Sequence, residues 1–149
     1  MIIVLQRVAR AAVRVGGQER ARIGPGLLLL VGVEKGDDEA AAEAAAAKAA
    51  HLRIFAARPG EDDRMDKSVL ESGGEILVVS QFTLAGSTRK GRRPGFDNAA
   101  APAEAERIYL HLASSLSRLG ARVQTGVFRA VMEVELVNDG PVTFVLGPA

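Results

Sequence analysis

At 149 residues the chain has the length of one domain, able to bury roughly 68–70% of the surface its unfolded form exposes. Hydrophobic residues at 48%, charged residues at 25% and a mean hydropathy of +0.11 exclude a bundle of membrane spans, and a net charge of +1 means that any polyanion must meet a local patch. The absence of cysteine removes disulfide scaffolds, thiol nucleophiles and cysteine-ligated zinc, while 4% aromatic residues without tryptophan argue against a base-stacking platform.

Residues 2–8 and 12–15 read as short strands, and Gly16-Gly17 turns the chain into another over Gln18–Ile23, so a β-meander is expected to open the protein. Gly24-Pro25-Gly26 makes a second turn. Residues 27–33 are then apolar without a break, as in a strand covered on both faces. This run is the longest of its kind and far below the ~20 residues of a membrane-spanning helix. With no secretory or anchoring segment in view, the expected compartment is the cytoplasm. The alanine-rich residues 38–52 favour a helix with acids in its first turn. Because alanine buries little area, this helix must lie close against a sheet or another subunit. Residues 59–68 are charged and loop-like.

Residues 75–82 form another apolar strand, running directly into Thr83, Leu84 and Ala85. Residues 102–119 have helical periodicity, with Ile108, Leu112 and Leu116 on one face, Pro102 suited to the first turn and Gly120 to the stop. Residues 123–127 and 131–137 read as strands, the second alternating Met132, Val134 and Leu136 with Glu133 and Glu135. Asn138-Asp139-Gly140-Pro141 is a turn into a last strand over residues 142–146.

The pattern is α+β: hairpin strands and two main helices, with one curled antiparallel or mixed sheet forming a barrel-like single domain over residues 1–149. Only one βαβ-like passage is visible. Neither G-x-G-x-x-G nor G-x-x-x-x-G-K-[ST] occurs, so nucleotide-cofactor chemistry has no support, and neither a cofactor nor a metal is expected.

Three constellations can carry chemistry. Ser80, Gln81, Phe82 and Thr83 end a buried strand, where hydroxyl, amide and main-chain N–H groups either converge on a pocket mouth or satisfy their own backbone. A serine or threonine nucleophile needs a general base, and the two histidines, His51 and His111, sit beside leucines in helices, so a protein triad is disfavoured. Arg89, Lys90, Arg92 and Arg93 surround Gly91 and precede Phe96, with no acid between Glu75 and Asp97. Such a loop either holds a phosphodiester backbone and presents Phe96 to a base or ribose, or is a solvated basic loop. Asn138 to Pro141 suits an ordinary β-turn. An X–Pro bond also becomes cis for only about 0.5–1 kcal/mol, which can aim two consecutive carbonyl oxygens the same way.

Taken together these segments resemble the D-aminoacyl-tRNA deacylases. Ser80-Gln81-Phe82-Thr83-Leu84, then Lys90-Gly91 with Arg93-Pro94 and Phe96, then Asn138-Asp139-Gly140-Pro141-Val142-Thr143 follow the order of that family's signatures. The resemblance extends over Gln6-Arg7-Val8, residues 24–33 and Leu52-Arg53-Ile54-Phe55, almost the whole chain. It implies a homodimer with active sites at the subunit interface, acting on the 3′ end of aminoacyl-tRNA by hydrolysing the ester between a D-amino acid and the terminal adenosine. Neither a membrane nor DNA is an expected partner.

The resemblance further implies that the Gly140-Pro141 bond is cis and enters the other subunit's pocket, where its two carbonyl oxygens accept from the substrate α-ammonium. A D-side chain then points outward, whereas an L-side chain meets the main chain. Glycine has no side chain to reject, so glycyl-tRNA, including mischarged glycyl-tRNA(Ala), is an expected further substrate. Main-chain N–H groups around Phe82 and Thr83, assisted by Ser80 and Gln81, are expected to hold the oxyanion. The resemblance implies help from the substrate 2′-hydroxyl; Thr83 as an acyl-forming nucleophile is the competing mechanism. Arg89, Lys90, Arg92, Arg93, Phe96, Phe128, Met132 and Asn138 are the expected substrate and tRNA contacts.

The chain departs from the family pattern at Arg129 and Val131, which replace a small residue and an aspartate, at Gly95 for serine, and at Asp66 for asparagine. Phe128 and Met132 are still expected to line the pocket, but the changed strand at Arg129 and Val131 puts its local polar contacts or the adenosine environment in question. Two other readings stay open: a non-catalytic tRNA-binding module built on the basic loop, and a relative with a trans Gly140-Pro141 bond that admits L-amino acids.

Overall fold

The computed structural model describes residues 1–147. Its spine is β1 (Ile2–Val15), which pairs antiparallel along one edge with β8 (Glu133–Leu146). Along the other edge its first half pairs with β3 (Gly26–Gly32) and its second half with β2 (Gln18–Ile23). β3 pairs in parallel with β6 (Glu75–Ser80), and β6 in parallel with β7 (Arg122–Thr125). The sheet curls until β2 reaches β7, where the Arg22 N–H donates to Gln124 Oε1 at 3.0 Å. The result is the barrel-like mixed sheet of an α+β fold.

The apolar runs of β3 and β6 are continuous because the sheet is covered on both sides. Leu28, Leu77 and Val79 face the inside of the curl with Val8, Val13 and Ile23. Leu27, Leu29, Val31, Ile76 and Val78 face the other way, onto α1 (Glu39–His51) and α3 (Pro102–Arg118). Each such side chain removed from water contributes roughly 1.5–3 kcal/mol. Asp38 caps α1 by accepting from the Ala41 N–H at 2.8 Å, a bond of the kind worth about 1 kcal/mol. Pro102 opens α3, and Gly120 ends it at φ +101°. Among the described residues, no helix is long and apolar enough to cross a membrane.

Several expectations are corrected. The two N-terminal strands are one strand of 14 residues, since β8 supplies a continuous partner past Arg7 and Arg10. The opening is not a meander: β3 pairs with β1, giving the order β2-β1-β3. Residues 59–68 are not simply a loop; β5 (Asp62–Lys67) pairs with β4 (Phe55–Arg58) in a separate two-stranded ribbon. Most of β5 is exposed, so no buried face impressed an apolar period on it. A short helix, α2 (Val69–Ser72), follows, closed by the reciprocal bonds of Ser68 and Glu71. Two parallel crossovers exist rather than one, β3 to β6 and β6 to β7. The alanine face of α1, with Ala42, Ala46, Ala49 and Ala50 fully buried, packs chiefly on α3 rather than on the sheet.

The last correction bears on function. Asn138-Asp139-Gly140-Pro141 does not reverse the chain, because both flanks belong to β8. Asn138 faces Val8 and Thr143 faces Gln6, so the residues between them bulge out of a ladder that continues on either side. The Gly140–Pro141 peptide is cis.

Candidate active site

β6 delivers Ser80 to the sheet edge, and the chain then leaves the ladder. Gln81 donates its N–H to the Val31 carbonyl at 2.7 Å, after which Phe82–Ala85 winds into one 3₁₀ turn. Gly32 on β3 makes room for this turn: a Cβ there would lie 2.8 Å from Leu84 Cβ. The turn leaves two donors over. Among the described residues no carbonyl accepts from the Phe82 or Thr83 N–H, as befits the first residues of a helical turn.

Beside Phe82 lies a cavity of about 420 Å³. Ser80, Gln81 and Phe82 form one wall, Val33, Ala100, Pro102 and Ala105 another, and Phe128 to Ala130 with Met132 and Val134 a third. Phe128 is steadied from below by the Tyr109 ring, with centroids 6.0 Å apart. Among the described residues no aspartate, glutamate, histidine or lysine lines the cavity, and the one charged side chain on it is Arg129.

Of the expected site residues, the structure brings Ser80, Gln81, Phe82, Phe128 and Met132 to one cavity. Thr83 stands apart: it is exposed, and its Oγ1 accepts from Gln81 Nε2 at 2.6 Å. Neither histidine reaches the cavity. His51 is exposed at the end of α1, and His111 Nε2 lies 2.9 Å from Glu43 Oε1 between α1 and α3. No cluster of three or more His, Asp or Glu among the described residues is placed to hold a metal ion.

Phe82 links the cavity to the basic loop, its ring 5.2 Å from that of Phe96 and inclined by 55°. The loop is tied at its base by paired bonds, Ser87 N–H to the Gly95 carbonyl at 2.8 Å and Gly95 N–H to the Ser87 carbonyl at 2.9 Å. Arg89, Lys90, Arg92 and Arg93 are all exposed on it. The segment after Phe96 is tied down as well. Asn98 donates to Glu34 Oε1 at 2.6 Å, while the Met1 ammonium sits between Glu34 Oε2 at 2.7 Å and Asp37 Oδ1 at 2.8 Å. Burial alone lowers the pKa of that ammonium, but bonds to Asp37 and Glu34 and their charges outweigh it, and the net direction is up.

Gly140 lies elsewhere, on a second cleft of about 800 Å³ between β1, the β4–β5 ribbon and the β8 bulge. The bulge is held by side chains. Asn138 Nδ2 donates to the carbonyls of Arg7 at 2.9 Å and Val142 at 3.2 Å, so Asn138 serves as an internal strut and does not line the first cavity. Arg7, which is not among the expected site residues, ties this cleft together: Nε donates to the Asp139 carbonyl at 2.9 Å and Nη1 to the Ile54 carbonyl at 2.6 Å. Its signals in the sequence are a charge in the middle of an apolar strand and its place in the Gln6-Arg7-Val8 segment of the family resemblance. Within one chain Gly140 and the Ser80–Phe82 wall therefore belong to different cavities.

A family model described as D-Tyr-tRNA(Tyr) deacylase matches residues 4–147. Among curated relatives, the D-aminoacyl-tRNA deacylase of Symbiobacterium thermophilum is 53% identical over 143 residues, covering 96% of this chain and 93% of that protein. The one from Paracoccus denitrificans is 55% identical over 143 residues, covering 96% and 94%. Among solved structures, the c-Myc DNA Unwinding Element Binding Protein superposes with a TM-score of 0.91 at 38% identity, covering all 100% of both chains. A probable eukaryotic D-amino acid tRNA deacylase gives 0.81 over 97% of each chain at 18% identity, a likeness of fold.

Proposed function

The chain belongs to the D-Tyr-tRNA(Tyr) deacylase family, and from that premise we infer how it works as a D-aminoacyl-tRNA deacylase. One domain over residues 1–149 carries the activity. The ester carbonyl lies beside the Ser80–Phe82 wall. Water adds to the carbonyl carbon, the oxygen that becomes negative is held by the Phe82 and Thr83 N–H groups, and the C–O bond to the terminal ribose breaks. Free D-amino acid and the tRNA 3′ hydroxyl are released. A preorganised donor of this kind is typically worth about 10²–10³ in rate.

The observation that carries this reading is the chemistry of the wall: the described residues around the cavity include no carboxylate, imidazole or amine to act as a base. An activated ester tolerates that lack if the substrate's own 2′-hydroxyl orients the water. The engagement of Thr83 Oγ1 by Gln81 speaks against Thr83 as the nucleophile.

Selection of hand comes from a second copy. Gly140 and Pro141 of one subunit enter the other's cavity, and their carbonyl oxygens take the α-ammonium so that only a D-side chain, or none, is accommodated. The separation of Gly140 from the Ser80–Phe82 wall within one chain supports a homodimer with its sites at the interface. Glycyl-tRNA(Ala) is then a further substrate. Arg89, Lys90, Arg92 and Arg93 hold the phosphodiester backbone of the single-stranded 3′ end, Phe96 and Phe82 form the apolar edge beside the terminal nucleoside, and the compartment is the cytoplasm, where tRNA is charged.

The test is parallel hydrolysis of D-tyrosyl-, L-tyrosyl- and glycyl-tRNA, with a fourth substrate whose terminal ribose lacks the 2′-hydroxyl. D-tyrosyl- and glycyl-tRNA are expected to turn over, the L-ester to persist, and the deoxy substrate to react slowly. Turnover of the L-ester marks a relative of opposite selectivity, and no turnover at all marks a binding module.

A further inference from the structure

The charged side chain that lines the cavity stands on a backbone that disfavours it. Arg129 has φ +63° and is the one non-glycine residue with positive φ among those described. It is the third residue of the turn that the Ala130 N–H closes on the Val127 carbonyl at 3.2 Å, a position where positive φ calls for glycine or asparagine. An outlier of this sort at a cavity wall points from strain to function. Several exposed arginines away from the cavity and the basic loop have carboxylate partners: Arg53 pairs with Asp66, Arg64 with Asp62 and Arg107 with Glu104. No carboxylate pairs with Arg129 among the described residues, and none lines the cavity with it.

We propose that Arg129 is a substrate-binding residue whose guanidinium pairs with the phosphate on the 5′ side of the terminal adenosine. The inference rests on reading this cavity as the seat of the acceptor end. Its other walls are mostly apolar, suited to the nucleoside, and Arg129 is exposed at the rim, where the next group along the strand is a phosphodiester. A guanidinium fork matches two phosphate oxygens at once. The basic loop reaches the same cavity through the Phe96–Phe82 contact, so the strand has cationic partners at two separate points. An arginine that read an amino-acid carboxylate instead would confine the enzyme to acidic esters.

The experiment compares wild type, Arg129→Gly and Arg129→Lys on D-tyrosyl-tRNA, D-aspartyl-tRNA and D-tyrosyl-adenosine, which has no phosphate. Arg129→Gly is expected to raise KM on both tRNAs about tenfold, the loss of one charged hydrogen-bonded pair, with kcat little changed. The KM penalty shrinks toward nothing on D-tyrosyl-adenosine, and Arg129→Lys recovers part of it. Because glycine relieves the turn, the same variant melts higher, by roughly 2–4 °C; a merely structural arginine would give lower melting and equal losses on all three substrates. An unchanged KM on tRNA, an equal penalty on D-tyrosyl-adenosine, or a penalty confined to D-aspartyl-tRNA overturns the proposal. If wild type hydrolyses none of the three, the deacylase reading itself falls, and this one with it.

Discussion

Arg7 grips Asp139 through main chain and side chain at once: Nε donates to the Asp139 carbonyl at 2.9 Å and lies 3.2 Å from its carboxylate Oδ2. The same guanidinium reaches the Ile54 carbonyl at 2.6 Å, so one side chain of β1 ties the β8 bulge to the start of the β4–β5 ribbon. Hydrogen bonds to a charged group are worth about 1.5–3 kcal/mol each. Arg7→Ala is therefore expected to lower the melting temperature by at least a few degrees, at roughly 2–4 °C per kcal/mol, and to cut D-aminoacyl-tRNA hydrolysis by a larger factor than global destabilisation explains. Arg7→Lys keeps the charge without the fork and is expected to fall between. Equal activity at a temperature where Arg7→Ala remains folded would show that the bulge needs no such hold.

What the sequence made legible, and what it did not, follows from where physical constraints are local. The strand over β3 and the α3 helix were readable because burial forces apolar residues into a run or a stripe, and Pro102 and Gly120 mark the ends of α3 by their own backbone limits. The cavity wall from Ser80 to Phe82 was readable because polar residues directly follow a buried strand. The β8 bulge was misread as a reversal: Asn138 to Pro141 has turn chemistry, and only β1 running alongside both flanks keeps the chain straight. β5 was missed because its side chains are mostly exposed. Arg7 stands in the Gln6-Arg7-Val8 segment of the resemblance, but its hold on the bulge is hidden in the sequence because its partners are main-chain oxygens far along the chain, which no spacing announces.

Gly140 has no room for a side chain. A Cβ there would stand 2.6 Å from Asn138 Oδ1 and 2.6 Å from the Val142 main-chain nitrogen. Asn138 could swing aside, but the Val142 nitrogen is part of β8 and cannot move without shifting the bulge. Gly140→Ala is expected to abolish hydrolysis of D-aminoacyl-tRNA, and removing the Asn138 side chain in the same protein is not expected to restore it. Restoration by Asn138→Ala in the Gly140→Ala background would refute the backbone clash as the cause.

The hydroxyls at the strand end are expected to matter modestly. Thr83 Oγ1 accepts from Gln81 Nε2 at 2.6 Å, and losing one such bond costs about 0.5–1.5 kcal/mol, or roughly 2- to 12-fold in rate. Thr83→Ala and Ser80→Ala should each slow single-turnover hydrolysis within about that range. Complete loss in Thr83→Ala, together with an acyl adduct trapped on the wild-type protein by acid quench, would install Thr83 as a nucleophile instead.

The basic loop makes a quantitative claim about salt. Arg89, Lys90, Arg92 and Arg93 are exposed on a loop whose base is pinned by Ser87 and Gly95. For single-stranded partners, each neutralised phosphate contributes roughly −0.7 to the slope of log K against log salt. Replacing Arg92 and Arg93 by glutamine should flatten the slope for tRNA binding by up to about 1.4, while hydrolysis of D-tyrosyl-adenosine is largely spared. Titrations of the double variant against uncharged tRNA at several salt concentrations give the answer directly, and an unchanged slope would assign the loop to solvent.

Tyr109 sets the alkaline limit of the fold. Its hydroxyl is buried and donates to the Val78 carbonyl at 2.9 Å. Burial pushes the phenol up to about 12, even though bonds to Thr125 and Gly126 act in the opposite sense. A pKa higher in the folded chain than in the unfolded one, where it is near 10, means that the protonated ring stabilises the fold below pH 10 and that this contribution is lost as pH rises toward 12. Tyr109→Phe removes the titration. The Val78 carbonyl keeps the Gly126 N–H at 2.9 Å, so this variant should lose only about 0.5–1.5 kcal/mol at neutral pH. Urea unfolding across pH 8 to 11.5 should show wild-type stability declining more steeply than that of Tyr109→Phe above pH 10. The Met1 ammonium, itself raised by Asp37 and Glu34, adds a decline that begins nearer pH 8 and is shared by both proteins, so the difference between the two curves isolates the tyrosine. Parallel curves above pH 10 would mean that the buried phenol does not govern alkaline unfolding.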